Sequence, residues 1–151
     1  EGIPTVVDAS GEALRRAIGA HPLLVKPNRE EFTALIGRRV PARELPPVLR
    51  HLSRSTGTII AVTLGAAGAI VGYRGMLFAV RPPRVSVVNA IGSGDAFVAG
   101  FVRRYLQTQD IADALRWGVA CGTLNAMTDR PGVLPMGKFR DILSAVHVRC
   151  R

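Results

Sequence analysis

Long apolar runs are missing from this chain. None approaches the roughly 20 residues that a membrane helix needs, so no membrane partner is expected. The start, Glu1-Gly2-Ile3-Pro4, lacks the basic region and apolar stretch of a secretory signal. It also lacks an initiator Met, and the chain is expected to begin partway through a longer protein. Cysteine is scarce: Cys121 and Cys150 are the only two, too few and too distant for a disulfide framework or a metal-ligand cluster. A reducing cytoplasm is the expected compartment. Lysine is scarce as well, with Lys26 and Lys138 alone, so the net charge of +9 is almost all arginine. The arginines are scattered in doublets such as Arg15-Arg16, Arg38-Arg39 and Arg103-Arg104, and aromatics are only 5%. A stacking platform for nucleic acid needs basic residues interleaved with aromatics, and none is present, so no nucleic acid partner is expected. The excess charge and the pI of about 11.2 fit an Arg-rich codon bias or an affinity for anionic substrates.

What is present suits one domain, or one large piece of a domain: 151 residues, 48% of them hydrophobic. Thr5-Val6-Val7-Asp8 reads as a strand and Ser10 as the cap of a helix over residues 13–18. Leu23-Leu24-Val25-Lys26 reads as a buried strand closed by Pro27. A helix then runs from Asn28 with Phe32, Leu35 and Ile36 on one face, and another covers residues 45–52. Residues 58–64 form the strongest strand; its apolar side chains do not alternate with polar ones, which predicts cover on both faces. Residues 69–73 and 76–80, around Arg74-Gly75, predict a hairpin. Pro82-Pro83 interrupts, and a strand is expected to resume at residues 85–88. A long helix opens at Gly92-Ser93-Gly94-Asp95 and runs to about Gln107. Asp110 caps the next, with Ile111, Leu115, Gly118 and Gly122 on one face. A loop at residues 128–135 and a helix at 138–146 complete the chain. Strands alternating with helices predict an α/β fold with a mainly parallel sheet. In such sheets ligands sit beyond the carboxyl ends of the strands, where the turns at Asp8, Lys26, Gly65 and Gly92 all fall.

Three segments carry chemistry. In Asn89-Ala90-Ile91-Gly92-Ser93-Gly94-Asp95, small residues let backbone N–H groups face an anion, and the following helix adds its positive end. Asp95 can then accept a proton from a substrate hydroxyl, the arrangement that phosphoryl transfer to an alcohol needs. The alternative is an ordinary glycine turn with an Asp favoured in the first helical turn. The segment is neither a Walker A loop, which ends in Gly-Lys-Ser/Thr, nor a dinucleotide fingerprint, whose third glycine comes earlier. In Lys26-Pro27-Asn28-Arg29-Glu30-Glu31 two readings are open. Asn28 and Glu31 form a capping pair, or they hold Mg²⁺ waters beside phosphates that Lys26 neutralises. In Thr63-Leu64-Gly65-Ala66-Ala67-Gly68 the glycines permit either close approach of a nucleotide or a tight hairpin entry.

Taken in order, these segments resemble the PfkB, or ribokinase, family of carbohydrate kinases. Residues 92–101 match its C-terminal signature, and Lys26-Pro27-Asn28-x-x-Glu31 and Thr63-x-Gly65-x-x-Gly68 match two further landmarks. Val7-Asp8-Ala9-Ser10-Gly11-Glu12-Ala13-Leu14, and Asn89 at the head of the signature, are similar to the tagatose-6-phosphate kinase and 1-phosphofructokinase branch. The resemblance covers nearly the whole chain. It implies a ribokinase-like three-layer α/β fold, with residues 1–151 forming the C-terminal nucleotide-binding and catalytic part of a single kinase domain. Asp95 would be the catalytic base and Gly92, Ser93 and Gly94 the anion hole. Lys26, Asn28, Thr63, Gly65, Gly68, Gly122 and Asn125 would contact ATP, with residues 118–125 flanking the adenine. Glu31 and Asn28 would act at Mg²⁺. A monovalent-cation site in the loops at residues 87–89 and 125–132 follows from the same resemblance.

Family members are about twice as long, and their N-terminal half carries most sugar-binding residues and a β-lid. That half is absent, so a homodimer or association with the missing half is the expected assembly, and poor solubility of the isolated chain follows. Two functions stay open: ATP-dependent phosphorylation of a sugar or sugar phosphate, or a non-catalytic nucleotide-binding remnant. Tagatose 6-phosphate, fructose 1-phosphate and fructose 6-phosphate all fit what is present.

Overall fold

The computed structural model describes residues 3–151, which divide into two units. The first takes in the chain up to Leu64, then Ala69–Ala79 and Cys150–Arg151. Its elements are β1 (Val6–Val7), α1 (Gly11–Gly19), β2 (Leu24–Val25), α2 (Arg29–Ile36), α3 (Leu45–Thr56), β3 (Ile59–Thr63), β4 (Ala69–Tyr73) and the start of β5 (Met76–Arg81). Strands β1, β2 and β3 pair in parallel, with Val6 opposite Leu24 and Leu24 opposite Ile59. Parallel pairs need crossover connections, and α1, α2 and α3 supply them. Ile59, Ile60, Ala61 and Val62 are all inaccessible to solvent, as a strand without polar alternation requires. β4 turns back antiparallel on β3, from Ile60 opposite Gly72 to Thr63 opposite Ala69. The strands follow chain order across the sheet, and the last, β6 (His147–Cys150), meets β5 through reciprocal backbone bonds between Leu77 and Arg151.

The core of this unit is Leu14 and Ile18 of α1, Phe32 of α2, Leu45 and Leu49 of α3, and Val25, Ile60, Val62 and Leu77 of the strands, with Val40. Leu35 and Ile36 pack against its edge, so the apolar face read from the sequence of α2 is the one that is used. Helix α3 lies so close on β4 that a Cβ at Gly72 would sit 2.8 Å from the Leu49 carbonyl oxygen. Ser10 occupies the cap position of α1 as expected, yet its side chain makes no capping hydrogen bond.

The second unit comprises Gly65–Gly68 and Val80–Arg149. It holds α4 (Ser93–Thr108), α5 (Ile111–Ala126) and α6 (Phe139–Ala145). Asp110 caps α5, its carboxylate accepting from the Asp113 N–H at 3.0 Å. Helices α4 and α5 approach through glycines. A Cβ at Gly100 would lie 2.7 Å from the Cys121 sulfur, one at Gly118 3.0 Å from the Phe97 carbonyl oxygen, and one at Gly122 2.9 Å from the Ser93 carbonyl oxygen. Phe97, Phe101 and Tyr105 stack along α4, and Trp117 of α5 meets the Phe139 ring edge-on at 4.7 Å.

One expected strand is absent. Residues 85–88 are irregular, and Val87 and Val88 are exposed. Their β-branched sequence has no neighbouring strand to pair with among the described residues; instead the N–H groups of Val88 and Asn89 donate to the carbonyl of Ala126. The short strand β6 was not foreseen, since His147-Val148-Arg149-Cys150 shows little alternation and follows directly on a helix.

Candidate functional site

The start of α4 is a constructed turn. Gly92 adopts a left-handed φ of 80°, which favours glycine, and a Cβ there would stand 3.1 Å from Pro131, a tight contact that adds to the preference. The Asn89 side chain accepts from the Ile91 N–H at 3.0 Å and donates to the Asp129 carbonyl at 3.2 Å. Asn125 of α5, fully buried, reaches across to the same turn. Its amide nitrogen donates to the Ile91 carbonyl at 2.8 Å and to the Ser93 hydroxyl at 3.2 Å, and its oxygen accepts from the Gly132 N–H at 2.8 Å. Both ends of this amide are used, so its part in the site is to hold the backbone around Gly92. Gly122 similarly lets α5 close on the Ser93 carbonyl.

Within this turn the Ser93 N–H is bonded to the Ala90 carbonyl and the Ala96 N–H to the Gly92 carbonyl. The N–H groups of Gly94 and Asp95 have no partner among the described residues. Unpaired donors at the head of a 16-residue helix attract an anion, because the helix dipole adds to them. The Asp95 side chain is exposed and makes no hydrogen bond or ion pair with any described residue. It lines a cavity of about 530 Å³ together with Gly92, Arg103, Cys121, Pro131 and Phe139. Burial pushes the Cys121 thiol above its ordinary pKa, which removes it as a nucleophile there.

The first unit brings its own candidates to the carboxyl ends of β1, β2 and β3. Asp8 follows β1 and Lys26 follows β2. Their side chains pair at 3.0 Å, with the Lys26 side chain only 7% exposed. A buried ammonium needs such a partner, and Asp8, just beyond β1, provides it. Its position directly after a strand was the available signal. Asn28 and Thr63 form a parallel bridge, and the Thr63 N–H donates to the Pro27 carbonyl at 3.0 Å. The capping box at α2 is complete. The Asn28 side chain accepts from the N–H groups of Glu30 and Glu31 at 2.9 Å, and Glu31 Oε2 accepts from the Asn28 N–H at 2.8 Å. The other carboxylate oxygen of Glu31 is uncommitted, and Mg²⁺, which keeps most of its waters, asks for only one or two such oxygens. Among the described residues no group of three or more acidic, His or Cys side chains is gathered as a metal cage.

Gly65 and Gly68, predicted as a pair, differ in kind. Gly65 is exposed with φ of 58° and open space above it, so a ligand can approach its backbone. Gly68 is buried, and a Cβ there would lie 2.0 Å from the Val80 carbonyl oxygen. It is demanded by packing.

Comparison with known proteins gives this geometry a context. Residues 1–132 match the family described as pfkB family carbohydrate kinase. The chain is 31% identical over 152 aligned positions to a tagatose-6-phosphate kinase of Staphylococcus epidermidis, covering 98% of this chain and 49% of that protein. It is 32% identical over 127 positions to a 1-phosphofructokinase of Borreliella burgdorferi, covering 83% and 41%. Among solved structures it is similar to phosphofructokinase-2 from Escherichia coli in complex with potassium, with a TM-score of 0.88 and 27% identity over 95% of this chain and 47% of the other. These matches bear out the ribokinase-like α/β fold. The chain spans about half the length of the curated relatives it matches.

Proposed function

The chain belongs to the pfkB family of carbohydrate kinases, and from that membership we propose that it carries the nucleotide-binding and catalytic machinery of an ATP-dependent sugar-phosphate kinase. The observation that carries the reading is the glycine-built start of α4, where two unpaired N–H donors stand beside an unpartnered, exposed Asp95. Asp95 takes the proton of the acceptor hydroxyl as that oxygen attacks the γ-phosphorus of ATP. The bond from the γ-phosphorus to the β–γ bridging oxygen breaks, and ADP leaves with that oxygen. The N–H groups of Gly94 and Asp95 offer fixed donors to the charge on the transferring group, whereas the Ser93 N–H, expected in the anion hole, is spent on the Ala90 carbonyl. Asn125 and Asn89 keep those donors in place. Lys26, Asn28, Thr63 and Gly65 serve ATP; Gly68 and Gly122 keep the backbone in the required shape. When bound, Mg²⁺ neutralises phosphate charge, and the uncommitted Glu31 oxygen would accept from its waters, while the Asn28 oxygen, expected to share that role, is taken up by the cap. The names of the relatives favour a ketohexose phosphate as acceptor.

The chain's length, half that of its relatives, favours a second reading: a nucleotide-binding piece that does not itself turn over sugar. One pair of measurements separates them. MgATP binding is titrated calorimetrically, and ADP release is assayed with tagatose 6-phosphate, fructose 1-phosphate and fructose 6-phosphate. Binding with acceptor-dependent ADP release supports the kinase reading, binding without release supports the second, and no binding of MgATP overturns both.

A further inference from the structure

Three arginines converge on a second recess of the α4–α5–α6 unit, about 590 Å³ in volume and separate in its lining from the Asp95 cavity except for Trp117. Arg104 of α4, Asp113, Arg116 and Trp117 of α5, Arg140 of α6 and His147 of β6 line it. Arg104 lies nine residues past Asp95, about 13 Å along the helix at 1.5 Å per residue. The charges here are unevenly matched. Arg104 is satisfied: its Nε donates to Asp113 at 2.5 Å, and its guanidinium rests over the Trp117 ring at 5.1 Å. That ion pair uses the one acidic side chain in the lining. Arg116, half-buried, and Arg140 make no hydrogen bond or ion pair with any described residue, and neither does His147.

We propose that this recess binds a small phosphate-bearing molecule through Arg116 and Arg140. Two arginines line one concavity whose single acid, Asp113, is already paired with Arg104, so the recess carries excess positive charge that a dianion would offset. Guanidinium forks match phosphate oxygens two at a time, which a lone ammonium cannot do. The volume falls in the range of roughly 300–1,000 Å³ typical of metabolite sites, so it accommodates more than a bare phosphate ion. The Arg104–Asp113 pair and the Trp117–Phe139 contact fix the floor on which the two free arginines stand. Nothing in this arrangement uses the turn at Gly92, so the ligand acts beside catalysis and not in it.

Trp117 is the only tryptophan in the chain and lines both this recess and the Asp95 cavity, so its fluorescence reports phosphate at either and the variants tell the two apart. The whole chain is titrated with inorganic phosphate against sodium chloride at matched ionic strength, with calorimetry on the same samples in case the indole is silent. A saturable response to phosphate alone is expected, with the apparent Kd raised at least tenfold in Arg116→Gln/Arg140→Gln and unchanged in Asp95→Asn. Circular dichroism melting confirms that the double variant is folded. Should it not fold, Arg140→Gln alone, at an exposed position, is expected to weaken binding severalfold. An equal response to chloride, unaltered phosphate affinity in the arginine variants, or no signal up to millimolar phosphate by either method overturns the proposal. A response lost in Asp95→Asn but kept in the arginine variants overturns it as well, by placing the phosphate at the α4 turn.

Discussion

Asp95 is exposed in the first turn of α4 and makes no hydrogen bond or ion pair with any described residue, so its carboxylate is free to take a proton. Substituting Asp95→Asn keeps size and polarity while removing the base. General-base assistance contributes about 10²–10⁴-fold. In the protein that carries this sequence, kcat is expected to fall by that factor with ATP affinity little changed. Steady-state kinetics beside a nucleotide titration measures both; near-normal turnover would remove Asp95 from the mechanism. The two cysteines differ in accessibility. Cys150 is exposed, whereas Cys121 is buried and its thiol is pushed above its ordinary pKa, so less of it is thiolate at any given pH. Maleimide at neutral pH is expected to label one site in the folded chain and both after denaturation, as read by intact mass. Two labels on the folded chain would show that the α4–α5 contact opens readily.

At the scale of elements, α2 poses the choice between cap and metal ligand that its sequence left open. The structure completes the cap and still leaves one Glu31 oxygen uncommitted. Two substitutions separate the roles. Gln can replace Glu in a capping box, so Glu31→Gln should melt within about 0.5 kcal/mol of the parent. The same change removes the charge that would serve Mg²⁺, so the Mg²⁺ needed for half-maximal ATP binding is expected to rise severalfold. Asn28→Ala should lose about 1 kcal/mol of stability with the cap. Equal Mg²⁺ dependence in Glu31→Gln and the parent would confine Glu31 to the cap. Elements also show what a sequence can and cannot disclose. β3 was legible because a fully buried strand has a continuous apolar run, and α4 because its glycine turn and Asp95 are adjacent in sequence. Residues 85–88 misled because strand propensity describes a segment's fitness for a sheet, and pairing needs a neighbour that lies elsewhere. The Asn125 bridge to Ile91 and Ser93 spans more than 30 positions, and no local pattern signals it. The same holds for Asp8 with Lys26, and for the collision that fixes Gly68 beside Val80. Such partners become visible only when the chain is folded.

The charge of +9 is a property of the chain as a whole, and under the proposed function it bears on how ATP arrives. The arginines are spread over the chain, and several are exposed, among them Arg39, Arg103, Arg130 and Arg149. Exposed charges act on a distant ligand through solvent, and salt screens that action: the Debye length shrinks from about 10 Å at 0.1 M to about 3 Å at 1 M. Donors that touch phosphate directly, the role proposed for the N–H groups of Gly94 and Asp95, are screened far less. The affinity for ATP should therefore have two parts, one sensitive to salt and one not. Raising sodium chloride across that range is expected to weaken ATP binding severalfold and to slow its association, while the affinity for adenosine, which carries no charge, stays within experimental error. Stopped-flow association with a fluorescent ATP analogue, paired with equilibrium titrations of both ligands, gives the two readings. If ATP and adenosine weakened in parallel, salt would be acting on the fold and not on the field. If neither changed, the contact donors would account for ATP recognition, and the arginine excess would have no part in bringing the nucleotide to the α4 turn.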